Sequence, residues 1–329
     1  MPNRDKILLT IVALVTGAIL LSRVDGVSAK DAQGQFDRNF TVSGPVQLNV
    51  ENSSGSVNVR RGGSGSVSVH AEIRANHWMG GASDSDVKEI EQNPPLKQDG
   101  NTIRIYKVDG SLGRHISINY EIQVPEETVV QSSTGSGSQS VEMIKGPVTV
   151  STGSGSLRVR QIGAQIEASS GSGSIELNDI QGAAKVKTGS GSITAEGVAG
   201  AFKGETGSGH LDVRLTAPGD VYATSGSGHL ELSGVEGKLY AHSGSGHVNV
   251  SGTPKGDWEV HAGSGGVDVR IPPNVGFDVD AHAGSGSVNV DGPITMESSM
   301  SDHHEVRGKV RGGGPRIEAT TGSGSITIQ

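Results

Sequence analysis

The sequence predicts an all-β protein: a single-stranded parallel β-helix (β-solenoid) of about 18-residue coils behind an irregular, β-rich N-terminal cap. Three observations carry this prediction. A Gly-Ser-Gly corner recurs ten times, with its second glycine at Gly137, Gly155, Gly173, Gly191, Gly209, Gly228, Gly246, Gly265, Gly286 and Gly324. The spacings are 18, 18, 18, 18, 19, 18, 19, 21 and 38 residues, a period typical of stacked coils. Apolar and polar residues alternate after each corner, which is the two-residue period of a half-buried strand. Glycine supplies 51 of the 329 residues and aromatics only 3%, so the interior must be thin and closely stacked.

The first segment is a targeting sequence. Arg4 and Lys6 precede a weakly polar-to-apolar run over 7–21, and Val27-Ser28-Ala29 has the small-residue pattern of a signal-peptidase site. The run is short for a transmembrane helix. The chain is therefore expected to divide into a signal peptide at 1–29, a linker at 30–35, a cap at 36–132 and solenoid repeats at 133–329, with an insertion at 291–316. Cleavage would export the body to the periplasm, the cell surface or the medium, without a membrane span. An uncleaved leader would anchor it instead.

Within the cap, period-2 runs place strands at Val46, Leu48 and Val50, at Val57 and Val59, and from Val67 to Ile73. Ser54-Gly55-Ser56 and Ser64-Gly65-Ser66 resemble early corners. Residues 84–92 read as a short helix capped by Ser83 or Asp84, with Val87 and Ile90 on one face and Pro94-Pro95 as its stop. His77-Trp78-Met79 reads as a loop. Strands resume at Ile103 and Ile105, and from Ile116 to Val124.

Each coil then has one anatomy. Leu157 and Val159 point inward on one strand, Ile162 and Gly163 turn the chain, and Ile166 and Ala168 point inward on a second strand. One column reads Leu157, Ile175, Ile193, Leu211, Leu230, Val248, Val267, Val288, Ile326. The second strand gives Val148, Ile166, Ala184, Phe202, Val221, Leu239, Trp258, Phe277, Ile317. Gln139 is a polar intruder in the first column. The insertion is expected to loop out before the last coil returns.

Chemistry is sparse. There is no cysteine, so disulfides and thiolate metal sites are excluded. A net charge of −8 with interspersed signs lacks the basic footprint of a nucleic-acid binder. The corner serines lack a repeated base or acid partner and read as small hydroxyls in a tight turn. Histidines form two columns, His210, His229, His247 and His242, His261, His282, which are candidate metal ligands on exposed positions. Asp302-His303-His304-Glu305 adds ligand types on a loop. The column Asp212, Glu231, Asn249, Asp268, Asn289 falls one residue late for nonapeptide calcium repeats. Arg158, Arg160, Arg214 and Arg270 look dispersed, with Glu196 and Asp291 between them. No catalytic residue and no cofactor is expected.

Phe40-Thr41-Val42, the run 118–125 ending in Val124-Pro125, the repeated Thr-Gly-Ser-Gly-Ser-Ile/Leu coils and the glycine run Gly312-Gly313-Gly314 together resemble the bacterial β-strand-repeat "putative adhesin" family, over about residues 36–329. That resemblance implies a parallel β-helix of unknown function outside the cytoplasm, with no catalytic motif. The expected function is a non-enzymatic envelope or surface binding scaffold, whose partner is a surface glycan, a protein ligand or another envelope component. The alternatives are a carbohydrate-active β-helix lyase or hydrolase and a metal-responsive envelope protein acting through its histidine columns.

Overall fold

Alternation of small and branched apolar residues makes each coil a pair of short strands, such as Leu157–Ile162 and Ile166–Ser170, whose alternate side chains are buried. The computed structural model describes residues 32–75, 83–108, 110, 112–296 and 303–329. The expected leader at 1–29, the loop at 77–81 and Asp302 lie outside the described residues.

Successive coils pair in parallel. Leu157 lies opposite Ile175, Ile175 opposite Ile193, and so on through Leu211, Leu230, Val248 and Val267. Val148 begins the matching column through Ile166, Ala184, Phe202, Val221, Leu239 and Trp258. These columns belong to two long sheets, here named for Leu157 and Val148. The core is the narrow space between them. This is the predicted parallel β-solenoid.

The corners stack backbone on backbone. A Cβ placed on any second corner glycine from Gly137 to Gly324 would run into the carbonyl of the equivalent glycine in the adjacent coil. Inside each corner a buried hydroxyl adds a cross-link between coils. Ser170 Oγ accepts from Gly173 N (2.8 Å) and donates to the Gly155 carbonyl one coil earlier (2.9 Å). Thr188, Thr206 and Ser225 repeat the arrangement. A polar group buried here is satisfied on both sides, so it costs little and fixes the corner. The hydroxyl that makes these bonds is not that of the central corner serine but that of the residue three before the second glycine.

At the opposite turn Met143, Gln161 and Asp179 occupy the left-handed region at φ 59°, 55° and 57°, where later coils place Gly197 and Gly234. A side chain costs about 1–2 kcal/mol in that conformation, and glycine's extra unfolded-state entropy returns about 0.5–1 kcal/mol of this. Gln161→Gly is therefore expected to stabilise the protein by about 0.5–1 kcal/mol, read as a raised midpoint in urea denaturation.

Residues 47–61 form a first coil, with Val57 opposite Gln139 and Leu48 opposite Val130. Beyond it the Leu157 sheet turns antiparallel: Ile116–Val124 pairs with Ser66–Ala75, which pairs with Ala32–Thr41. The segment expected as a linker at 30–35 thus enters a strand at Ala32, because Phe36 packs inward there while its neighbours face solvent. The helix Asp84–Gln92 has the expected bounds. Ser83 caps it through a reciprocal box with Asp86, and Val87 and Ile90 are buried. Glu91 Oε1 accepts the Gln35 N–H (2.8 Å), which blunts an edge strand open to pairing.

The far end departs from the sequence reading. The last coil does not follow the one before it; it slots between two earlier coils. Ile326 lies between Val267 and Val288, and Ile317 between Trp258 and Val279. Phe277 leaves its expected column, where Val279 takes its place opposite Ile317, and pairs antiparallel with Val310. The insertion does not simply loop out. Glu305–Val310 and Ile294–Met296 form antiparallel strands that extend the Val148 sheet. An antiparallel return satisfies the backbone groups of Phe277–Ala283, the strand at the end of the stack, without requiring another coil.

Candidate binding groove

Outward positions stack as strictly as inward ones. On the Val148 sheet one outward column runs Thr149, Glu167, Lys185, Lys203, Tyr222, Tyr240, Glu259. Parallel pairing puts identical positions about 4.8 Å apart, so the two tyrosine rings stack at 5.0 Å and 12°. Lys203 Nζ sits 4.7 Å from the Tyr222 centroid, and His261 tilts against Tyr240 at 6.0 Å. Lys203 thus covers one face of the Tyr222 ring and Tyr240 the other, while Tyr222 stays 38% exposed.

Beside this column lies a groove of about 710 Å³ running along the coil axis. Ala183 and Ala201 contribute its small-residue side, Lys185, Lys203, Tyr222 and Tyr240 its tall side, and Asp220, Lys238 and Asp257 continue it. Charges of both signs line and flank it. Lys185 pairs with Glu167 at 2.7 Å, and Lys203 and Lys187 bracket Glu205 at 3.0 and 3.4 Å. The Lys203 hydrogen bond, more than Lys187, holds the Glu205 carboxyl below the usual range. Sequence reasoning missed this groove, although Tyr222 and Tyr240, 18 residues apart at one repeat position, carried the signal.

The histidine columns divide. His210, His229 and His247 form a ladder, with ring centroids 5.1 and 5.5 Å apart. The backbone N–H of His229 donates to His210 Nδ1 (3.2 Å), that of His247 to His229 Nδ1 (3.0 Å), and that of Gly266 to His247 Nδ1 (3.1 Å). An N–H can only donate, so each Nδ1 carries the lone pair and each proton sits on Nε2. That tautomer leaves Nε2 without a lone pair for a metal. Nitrogen-15 NMR of the imidazoles is expected to show the Nε2–H tautomer at all three positions. Ser192 Oγ plays the same acceptor part for His210 N–H (3.3 Å).

In the second column His242 and His261 are neighbours at 6.5 Å, but the inserted coil places Thr320 between His261 and His282. His261 Nδ1 lies 2.6 Å from Thr320 Oγ1. His303 and His304 close the end of the stack through their carbonyls, which accept the Val288 and Ala283 N–H groups. Among the described residues no three histidine or carboxylate side chains converge on a metal-sized site.

The acidic column stacks Asp212, Glu231, Asn249 and Asp268, with Thr327 ahead of Asn289. Desolvation, and then repulsion from Glu231, push the Asp212 carboxyl up.

The arginines are less dispersed than expected. Arg160 Nη2 and Arg158 Nε reach Glu176 at 2.7 and 3.0 Å, and Asn178 Nδ2 adds a third bond at 3.0 Å. Arg160 first and Arg158 second hold the Glu176 carboxyl down to about 2. A carboxylate so fully engaged has no proton to donate near neutrality, so the cluster reads as an ion network and not as a glycosidase pair. Its folded pKa is depressed, so its contribution to stability is present above the unfolded value near 4.5 and fades as pH falls through about 2. Glu176→Gln is expected to cost about 1 kcal/mol at pH 7, screened by solvent, and almost nothing at pH 2, measured by urea denaturation.

The ladder, the ion network and the tyrosine groove all depend on one coil repeat, which can be compared with known proteins. Residues 207–329 match the Toastrack family, DUF4097. The Toastrack match begins at a corner glycine and takes in the inserted last coil. A "putative cell adhesion protein" from Clostridium sporogenes ATCC 15579 is similar at 14% identity, over 90% of this chain and 99% of that one, with a TM-score of 0.20. A "putative adhesin" from Bacteroides fragilis NCTC 9343 is similar at 10% identity, over 90% and 97%, with a TM-score of 0.30. No curated protein matches the chain.

Proposed function

We propose that this chain is an exported, non-enzymatic β-solenoid scaffold that binds an extended glycan along its tyrosine-lined groove. The observation that carries this reading is the groove itself, which follows the coil axis beside an unbroken outward column from Thr149 to Glu259. Its walls offer tyrosine hydroxyls, ammonium groups and carboxylates at regular intervals, a mixed donor and acceptor set suited to sugar hydroxyls. A peptide adding as a strand would need free backbone groups, and those in the groove floor already pair within the sheet. The targeting segment supports export, and the Toastrack match over residues 207–329 fits a scaffold better than an enzyme.

Glycan arrays and whole-cell binding with the purified chain test this reading, with fractionation of expressing cells to establish location. Binding to a linear polysaccharide should fall at least tenfold in Tyr222→Ala/Tyr240→Ala while the melting temperature stays within a few degrees. Binding unchanged in that variant, or found only to a protein, would reject the glycan groove. Retention in the cytoplasm would reject export.

A further inference from the structure

We infer that one water molecule is built into the interior of the coil formed by Val129–Ser136 and Gln139–Ile144, held jointly by Ser132, Thr134 and Gln139. This coil differs from its neighbours inside. Where other coils present apolar side chains or a satisfied hydroxyl, it presents three polar side chains that are 4%, 3% and 3% exposed. Ser132 Oγ, Thr134 Oγ1 and Gln139 Oε1 are all buried without a hydrogen-bond partner.

Their register places all three in the same stretch of the interior. Gln139 stands in the Leu157 column and reaches across the interior, where its Nε2 donates to the Ser151 carbonyl at 2.5 Å. Ser151 lies between Val150 and Thr152, whose partners in the adjacent strand are Ser132 and Thr134. The Gln139 amide therefore ends on the strand paired with the one that carries both hydroxyls, between the residues opposite them. Thr134 lacks its usual acceptor for a visible reason. In later coils this hydroxyl donates to the corner carbonyl one coil earlier, but here that carbonyl, on Gly55, accepts from Asn52 Nδ2 (3.2 Å).

The chemistry selects the occupant. Two hydroxyls need acceptors and one amide oxygen needs a donor. A single water accepts from Ser132 and Thr134 and donates to Gln139 Oε1, satisfying all three. A cation would use the oxygens as ligands and leave both hydroxyl protons without acceptors. Moreover, the buried polar side chains of the described residues include no carboxylate to balance its charge. Immobilising one water costs less than leaving three buried groups unpaired. The site lies where the first coil, residues 47–61, meets the regular array, and it is independent of the groove.

A crystal structure of the full chain at about 1.8 Å or better provides the direct test. One solvent peak is expected within about 2.6–3.2 Å of all three oxygens. Side chains turned to bond one another, with no peak between them, would overturn the inference. A double-mutant cycle of Thr134→Val and Gln139→Leu tests it in solution, since Leu157 already fills the equivalent position one coil on. Shared through one water, the two losses should be non-additive, with the double variant's urea midpoint clearly above the sum of the single shifts. Additive shifts would count against the water.

Discussion

Gly209→Ala is expected to destabilise the solenoid by about 3–5 kcal/mol, at the upper end of single-substitution effects. The added methyl would meet the Gly191 carbonyl at a distance no real Cβ tolerates, and that carbonyl belongs to backbone that cannot rotate away alone. Relief would require the two coils to separate. That would stretch the Thr206 link, which accepts from Gly209 N and donates to the Gly191 carbonyl. Coils are stable only through their neighbours, so the damage should spread through the array and broaden the unfolding transition. Gly65 is the control. Its corner-like position has nothing within 4 Å, so Gly65→Ala should change stability by less than about 0.5 kcal/mol. Urea denaturation of the two variants separates steric closure from a general cost of removing glycine. Equal shifts would defeat the stacking argument.

Removing residues 315–329 should have the second large effect. The deletion takes out Ile317, Ala319, Ile326 and Ile328, all fully buried, and strips the strand Trp258–Ser264 of its neighbour. Loss of those side chains alone is worth several kcal/mol at about 1.5–3 kcal/mol for each large one. Trp258 is fully buried and its Nε1 donates to the Gly237 carbonyl at 3.0 Å, so it reports on this end of the stack. In a Trp78→Phe background the truncated protein should show red-shifted emission and an early unfolding step, while the coils from 129 to 252 unfold as before. A blue emission and a single transition would mean that the flanking coils close over the gap.

Most of the architecture was legible because repeat position and side-chain environment coincide. Leu157 and its equivalents are apolar and spaced by one coil, so their column can be written down without coordinates. The helix at Asp84–Gln92 was equally readable, since its cap, buried face and proline stop are all local. What failed was anything that depends on the order of stacking. Ile317 and Ile326 fit the repeat equally well after Val288 or before it. Periodicity gives the position within a coil and is silent about which coil lies next. That ambiguity separated His282 from His261, whereas Phe277 was misplaced by a two-residue register within its own coil: Val279, seven residues before Gly286 as Trp258 is before Gly265, takes the column position opposite Ile317. The candidate groove was hidden for another reason. Outward residues vary freely in polarity, so Tyr222 and Tyr240 acquire meaning only as a stacked pair. The Glu176 cluster was likewise invisible until Arg158 and Arg160 were set beside the next coil.

The interposed final coil also imposes a schedule on biosynthesis. Synthesis proceeds from the N-terminus, so the coil at 277–290 exists before the one that must lie beneath it. Until residues 315–329 are made, the strands at Val267–Arg270 and Val288–Val290 have no common neighbour; in the finished stack they lie about two strand spacings apart, roughly 10 Å. The stack thus cannot be completed by adding coils at its open end alone. Residues 315–329 act as a keystone, and a molecule interrupted or clipped just before them would carry open strand edges able to pair with other chains.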